Sequence, residues 1–253
     1  MKPESVQHCV WLNNQGVDHL SNMRFGAAVT AFTRALRLAK RVLLSEHPQS
    51  KSQTRKNVSS LGGDEGEARR ECTFFSVQGP AHEEVLDSSH HHQTSVDSHN
   101  FSCDDQIFPF VYSTPLRISE SVAIEDYESS VKLSVAIMFN LALSHHLNGV
   151  KNCHARDPDT LSHAVALYEL AYQLQMQEDI EVSVETTMAI INNLGHVHRM
   201  LDDQEKASQC FNHLLSTMLF VQSLGDADVT CKTEGFFHNV THLILKKSGA
   251  PAA

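Results

Sequence analysis

The sequence of 253 residues lacks an excess of positive charge, long apolar runs and paired cysteines. Its 20 basic residues are outnumbered by 30 acidic ones, which gives a formal net charge of -10. That balance argues against general nucleic-acid binding and against docking on anionic lipid, because both need a basic face. No apolar run approaches the roughly 20 residues that a membrane-spanning helix needs. We therefore expect neither nucleic acid nor a membrane among the partners of this chain.

Cysteine is present but is not arranged for cross-linking. The six cysteines lie far apart, and none has the paired spacing of a disulfide framework or a zinc site. The first seven residues are polar and lack the cationic and apolar regions of a secretion signal. Free thiols in a reducing compartment are therefore expected. The sequence predicts an intracellular soluble protein, cytoplasmic or nuclear.

Signatures of catalysis are also missing. We find no glycine-rich phosphate loop, nucleophile elbow or spaced carboxylate pair. The run His90-His91-His92 is interpreted as part of a solvated linker. His238 and His242 have zinc-ligand spacing on a helix but lack a third ligand. We therefore predict no catalytic residues, no metal site and no cofactor.

What the sequence does contain is helical periodicity, in three regions near residues 9–45, 119–177 and 180–245. Between residues 46 and 118 serines and scattered charges replace the apolar pattern, so we expect an insertion that is mostly disordered. The predicted fold is all-α. Its parts are a hairpin of helices at 1–45, the insertion at 46–118, a second hairpin at 119–178, a third at 179–224, and a capping helix with a tail at 225–253.

The three helical regions repeat one pattern of small and large residues. In the first helix of each region a small residue is preceded by asparagine two positions earlier and followed by histidine three positions later. In the second helix an alanine precedes an aromatic residue by four positions. The small residues are Gly16, Ala142 and Gly195; the alanines are Ala28, Ala164 and Ala207; the aromatic residues are Phe32, Tyr168 and Phe211. The second region carries about ten extra residues between its two helices.

This pattern resembles the tetratricopeptide repeat (TPR), a helix-turn-helix unit of about 34 residues. The family's opening tryptophan and closing proline are absent from all three units. The resemblance implies an α-solenoid, in which each hairpin covers an apolar face of its neighbour and a terminal helix caps the array.

In the TPR family the first helix of each hairpin lines a concave groove that receives an extended peptide. Carried over by spacing, the residues that line the groove here are Asn13, Asn14, Val17, Phe139, Asn140, Leu143, Asn192, Asn193 and His196. The resemblance implies a non-enzymatic scaffold or adaptor that binds another protein or a peptide, whose identity the sequence does not give. Two alternatives stay open: a structural subunit with a self-occupied groove, and a regulatory subunit of an enzyme assembled with another chain.

The repeated asparagines Asn14, Asn140 and Asn193 have two interpretations. An asparagine amide both donates and accepts, so a row of them can bond a peptide backbone. Alternatively, these amides bond within the scaffold or to water. Of the two interpretations we prefer the second.

The end of the insertion, residues 107–118, is apolar and contains Pro109 and Pro115, which predicts an extended segment. We expect it to pair with residues 72–77 as a small two-stranded β ribbon, since both stretches are rich in strand-forming residues. The alternative is docking in the groove near Phe139 and Leu143. In that position the segment would compete with partner peptides.

Overall fold

The computed structural model describes residues 3–46, 110–119, 127–151, 158–177, 183–223 and 235–241. All of them belong to one compact unit, formed by residues 1–56 and 109–253. Most of the expected disordered insertion, including residues 72–77, lies outside the described residues.

The described part of the chain is all-α, with seven helices and no strand. This confirms the all-α part of the predicted fold class. In chain order the helices are α1 (Pro3–Ser21), α2 (Phe25–Glu46), α3 (Tyr127–Lys151), α4 (Pro158–Gln177), α5 (Val184–Met200), α6 (Gln204–Ser223) and α7 (residues 235–241).

Helices that follow one another along the chain pack against one another, from α1 on α2 through to α5 on α6. The first helices of the predicted hairpins, α1, α3 and α5, also contact each other in that order. Antiparallel neighbours are what short connections between helices produce. The arrangement brings the repeated asparagines of the three helices to neighbouring positions.

Two of the connecting turns have the same geometry at the same register position. Met23 follows Gly16 by seven residues and has φ 56°, while Asp202 follows Gly195 by seven residues and has φ 62°. In each turn the next amide bonds the carbonyl of the repeated histidine, His19 or His198, at 2.9 Å. A left-handed residue at this position ends a helix while satisfying its last carbonyls.

The small residues face the aromatic residues that the repeat register pairs with them. A Cβ added to Gly16 would lie 2.5 Å from the Phe32 ring, and one added to Gly195 would lie 2.8 Å from the Phe211 ring. Since real Cβ atoms do not approach so closely, an alanine at either position would force the facing ring to shift. The repeated alanines of the second helices, Ala28, Ala164 and Ala207, are also buried.

Residues 110–119 are extended but form no strand. The preferred expectation, a ribbon with residues 72–77, is wrong for this part of the segment. Its backbone groups bond to asparagine side chains of α1, α3, α5 and α7 instead of to a second strand. The alternative placement, against the helices near Phe139, is the one observed.

Candidate functional site: an asparagine ladder and its occupant

The site is the surface formed by α1, α3, α5 and α7, with residues 110–118 lying across it. Each of the four helices contributes one asparagine that brackets one residue of the segment. In a bracket the amide oxygen accepts the N–H of that residue and the amide nitrogen donates to its C=O. We call the four brackets the asparagine ladder: Asn239 on Phe110, Asn193 on Tyr112, Asn140 on Leu116 and Asn14 on Ile118.

The bonds of the ladder are between 2.7 and 3.0 Å long. These are ordinary distances for N–H···O hydrogen bonds. The segment runs from α7 to α1, opposite to the order of the helices in the sequence. It advances two residues from α7 to α5, four from α5 to α3, and two from α3 to α1.

Two further asparagines support the ladder and make its two ends alike. Asn13 donates to the Leu116 carbonyl at 3.1 Å and accepts from Asn140 at 3.0 Å. At the other end Asn192 donates to the Phe110 carbonyl at 3.1 Å and accepts from Asn239 at 2.6 Å. Each supporting residue also donates to the bracketing asparagine that follows it in its own helix.

These amides are removed from solvent. Asn13, Asn140, Asn192 and Asn193 are fully buried, Asn239 is 1% exposed and Asn14 is 7% exposed. A buried polar group without a partner costs about 1–3 kcal/mol. This surface is therefore chemically suited to an occupant that offers alternating backbone donors and acceptors, which is what an extended polypeptide provides.

Among the described residues, aromatic rings contact the segment at Phe110 and Tyr112. The Phe110 ring meets the Phe236 ring edge-on at 5.5 Å, and the Tyr112 ring stacks on Phe236 at 5.9 Å. Phe139 contacts Tyr112 from α3 at 6.1 Å. Gly235 makes room for the Phe110 ring, because a Cβ there would overlap it. The two rings of the segment thus pack against aromatic side chains of α3 and α7.

The Tyr112 hydroxyl is bound as well as its ring. It donates to the Glu185 carboxylate at 3.0 Å, in the first turn of α5. Partial burial and this hydrogen bond raise the pKa of Tyr112 to about 12, so the hydroxyl keeps its proton and remains a donor. Ser183 caps α5 by accepting from the Thr186 amide at 3.2 Å, which fixes the turn that carries Glu185.

The opposite end of the segment is held by charge. Arg117 pairs with Asp18 of α1, and both side chains are more than half exposed. Exposed pairs contribute little stability, typically about 0–1 kcal/mol. This pair therefore orients the end of the segment without dominating its binding.

Behind the ladder lies a buried network of hydrogen bonds. Asn193 donates to the Tyr168 hydroxyl at 3.1 Å, and Tyr168 lies 3.4 Å from His146. A hydrogen bond of 2.8 Å joins Nε2 of His146 and Nδ1 of His196. Burial lowers the pKa of both histidines, that of His196 to about 4, so the pair is neutral near pH 7. The network fixes the position of the Asn193 amide.

The structure brings together most of the residues expected to line the groove. Asn13, Asn14, Asn140, Asn192 and Asn193 bond the backbone of the segment, and Phe139 contacts its tyrosine ring. The other three expected residues have different surroundings: Val17 and Leu143 are buried in the core, and His196 bonds His146. The amides bond one another within the scaffold and also bond the backbone of residues 110–118 of the same chain, so each interpretation of the asparagines describes part of their contacts.

Sequence reasoning missed Asn239 and Glu185. Residues 235–241 were expected to form only a cap, from their apolar residues. Phe236 and Val240 are indeed buried, and His238 is exposed. Asn239 lies between the two buried residues, and an asparagine on the apolar face of a helix was the available signal. Nothing in the sequence around Glu185 indicated a partner in the insertion.

Within the described ranges, no group of three or more histidine, cysteine or acidic side chains could hold a metal ion. None of the helices described is both long and apolar enough to cross a bilayer. Comparison with protein families, with curated proteins and with solved structures gave no match. The interpretation of the site therefore depends on its geometry.

Proposed function

We propose that this chain is a non-enzymatic protein-interaction scaffold with a TPR-like α-solenoid. Its concave groove binds an extended peptide segment through the segment's backbone. Residues 110–118 are the internal occupant of that groove, so a partner segment binds by displacing them.

The observation that carries the proposal is the asparagine ladder. Each bracket engages one N–H and one C=O, groups that every residue except proline offers. Backbone bonding of this kind gives affinity that depends little on sequence, as in other modes of recognising extended peptides. A groove that uses six buried asparagines in this way is suited to binding segments from elsewhere as well as its own.

The proline of the segment fits this arrangement. Pro115 occupies a position that the ladder does not bracket, so no required donor is missing. Proline also restricts itself and the preceding residue to extended conformations. The internal occupant is thus partly preorganised, and its tether gives it an effective concentration near millimolar. A partner peptide must overcome this competition.

The test uses a fluorescent synthetic peptide with the sequence of residues 107–119, titrated against two full-length proteins. In the F110S/Y112S variant the internal segment loses its two rings. We expect the variant to bind the peptide at least about tenfold more tightly than the wild type, because the tethered competitor is weakened. Equal or weaker binding by a folded variant would contradict an exchangeable groove.

A matched pair of substitutions tests whether the ladder is responsible. Asn193→Asp in the F110S/Y112S background keeps the side chain's size but removes its donor, so peptide binding should fall about tenfold or more. Asn212→Asp is the control. Asn212 is exposed on α6, and its side chain donates to Ser208 of the same helix. Equal effects of the two substitutions would show that the asparagine ladder is not responsible for peptide binding.

A second candidate function is a structural subunit whose groove is permanently filled. The fit of the Phe110 and Tyr112 rings against Phe236 favours it, since this contact resembles core packing. Circular dichroism of F110S/Y112S, and of Tyr112→Ser alone, separates the two candidates. Loss of the helical fold in both variants would contradict the scaffold and support the permanently filled subunit.

A further inference from the structure

We infer that the groove selects partner segments that carry an aromatic residue and, two positions later, a tyrosine, with Glu185 as the residue that reads the tyrosine hydroxyl. Non-proline residues are required four and six positions after that tyrosine. This inference rests on the proposed function, since it names the chemistry of the partner that the groove would accept.

The backbone contacts alone cannot set this preference. The cluster of Asn192, Asn193 and Asn239 bonds the segment in the same way as the cluster of Asn13, Asn14 and Asn140. Among the described residues, only the first cluster lies beside aromatic rings that contact the segment, and its carboxylate, Glu185, is partly buried. At the other end Asp18 pairs with Arg117 between exposed side chains, and such a pair discriminates little between partners. Side-chain selection is therefore located at the α5–α7 end.

The first selected position is that of Phe110. Its ring lies against Phe236, which is fully buried, and above Gly235, where any larger residue would overlap it. Aromatic pairs in this edge-on arrangement are stabilising beyond the area they bury. A short aliphatic side chain would leave part of this space empty, so an aromatic residue is preferred.

The second selected position is that of Tyr112. Its ring lies between Phe139 and Phe236, and its hydroxyl donates to Glu185 at 3.0 Å. A hydrogen bond to a charged acceptor is stronger than one between neutral groups. Phenylalanine would fit between the rings but would deprive the carboxylate of this donor.

The spacing of the ladder fixes the reading frame. The brackets fall on residues 110, 112, 116 and 118. Side chains of an extended chain alternate between its two faces, so a shift by one residue would turn both rings away from their walls. If the shift moves Pro115 to the position of Leu116, the proline has no N–H to donate to Asn140.

The experiment measures binding of four labelled peptides to F110S/Y112S. They are the 107–119 sequence and its Tyr112→Phe, Phe110→Leu and Ser113→Ala forms. We expect the first two substitutions to weaken binding by about three- to tenfold each, which is the range for one lost hydrogen bond at a half-buried site or one lost ring contact. Ser113→Ala is the control, because Ser113 is exposed, and should leave binding unchanged.

Substitution of Glu185 tests whether this residue recognises the tyrosine hydroxyl. In F110S/Y112S carrying Glu185→Leu, the Tyr112→Phe peptide should bind as tightly as the tyrosine peptide or more tightly. Glu205→Leu is the matched control, an exposed acidic residue in the first turn of α6, and should preserve the tyrosine preference.

The outcomes separate this inference from the function on which it rests. Failure of the unchanged peptide to bind F110S/Y112S would overturn the proposed function. Tight binding with no preference for tyrosine over phenylalanine, or a preference that survives Glu185→Leu, would overturn only the selection of tyrosine. Undiminished binding of the Phe110→Leu peptide would overturn the aromatic requirement.

Discussion

An asparagine side chain is matched to one residue of an extended chain because its amide places one acceptor and one donor side by side. Aspartate has the same shape but only accepts, so it would face the carbonyl of the segment with charge and without a proton. The same chemistry lets Asn13 and Asn192 bond neighbouring amides and the segment together. Six asparagines can therefore be buried here, because the amide groups that hold the segment have hydrogen-bond partners.

The ladder shows how far single residues could be predicted. Repeat spacing identified Asn14, Asn140 and Asn193, since each precedes the small residue of its helix by two positions. It could not identify their partner, because the partner belongs to a segment distant in sequence and outside the repeat. Asn239 escaped because threonine, Thr241, stands two positions after it, where the other three units have glycine or alanine.

The buried histidine pair leads to a prediction about pH. Burial lowers the pKa of His196 to about 4 and lowers that of His146 well below its usual value, while an unfolded chain binds these protons near pH 6.5. Their stability contribution is therefore fully present above pH 6.5 and is lost as the pH falls toward 4. For His196 alone, the free energy of unfolding should fall by about 2 kcal/mol between pH 7.5 and pH 5.

Urea denaturation at the two pH values, with His196→Gln beside the wild type, measures this effect. The substitution should reduce the difference between the two pH values, because glutamine does not titrate. His238→Gln, at an exposed position of α7, should leave the difference as it is in the wild type. An unchanged pH difference in His196→Gln would show that this histidine is not the source.

At the scale of helices, the crossing of α5 and α6 depends on two small residues that face opposite helices. Gly195 lies against Phe211 and Cys210, and Ala207 is 2% exposed. This crossing could be predicted because the spacing from glycine to alanine to the aromatic residue is the same in the first and third hairpins. The turn between them, with its left-handed Asp202, follows the same register.

Overpacking this crossing gives a second stability prediction. Ala207→Phe should lower the free energy of unfolding by about 1–3 kcal/mol, because a well-packed contact has no room for a ring. Ser208→Phe adds the same ring at the next position, which is exposed, and should have much less effect. Thermal unfolding of both variants decides the matter, and similar losses would mean that the repeat register is wrong.

The segment at residues 110–118 illustrates the limit of prediction for an element. Pro115 and the apolar residues around it indicated an extended conformation. Strand propensity suggested a ribbon, but propensity describes a preference for extended backbone and does not say which groups will satisfy its hydrogen bonds. Here side-chain amides satisfy them, and no pattern within the segment distinguishes that outcome.

At the scale of the whole molecule, the segment connects helices that are far apart in sequence. Its brackets reach α1, α3, α5 and α7, so one stretch of nine residues contacts all four groove-lining helices. The segment therefore links helices that are not adjacent along the chain, and its displacement would remove contacts at all four of them.

The most direct test of the asparagine ladder is hydrogen exchange of the segment's backbone amides, followed by NMR in the intact wild-type chain. We expect slow exchange at Phe110, Tyr112, Leu116 and Ile118, whose N–H groups are bound by buried asparagines. Val111 and Arg117, which the ladder does not bracket, should exchange faster. Uniformly fast exchange at all six amides, or protection of Val111 and Arg117 equal to that of the four bracketed residues, would contradict it.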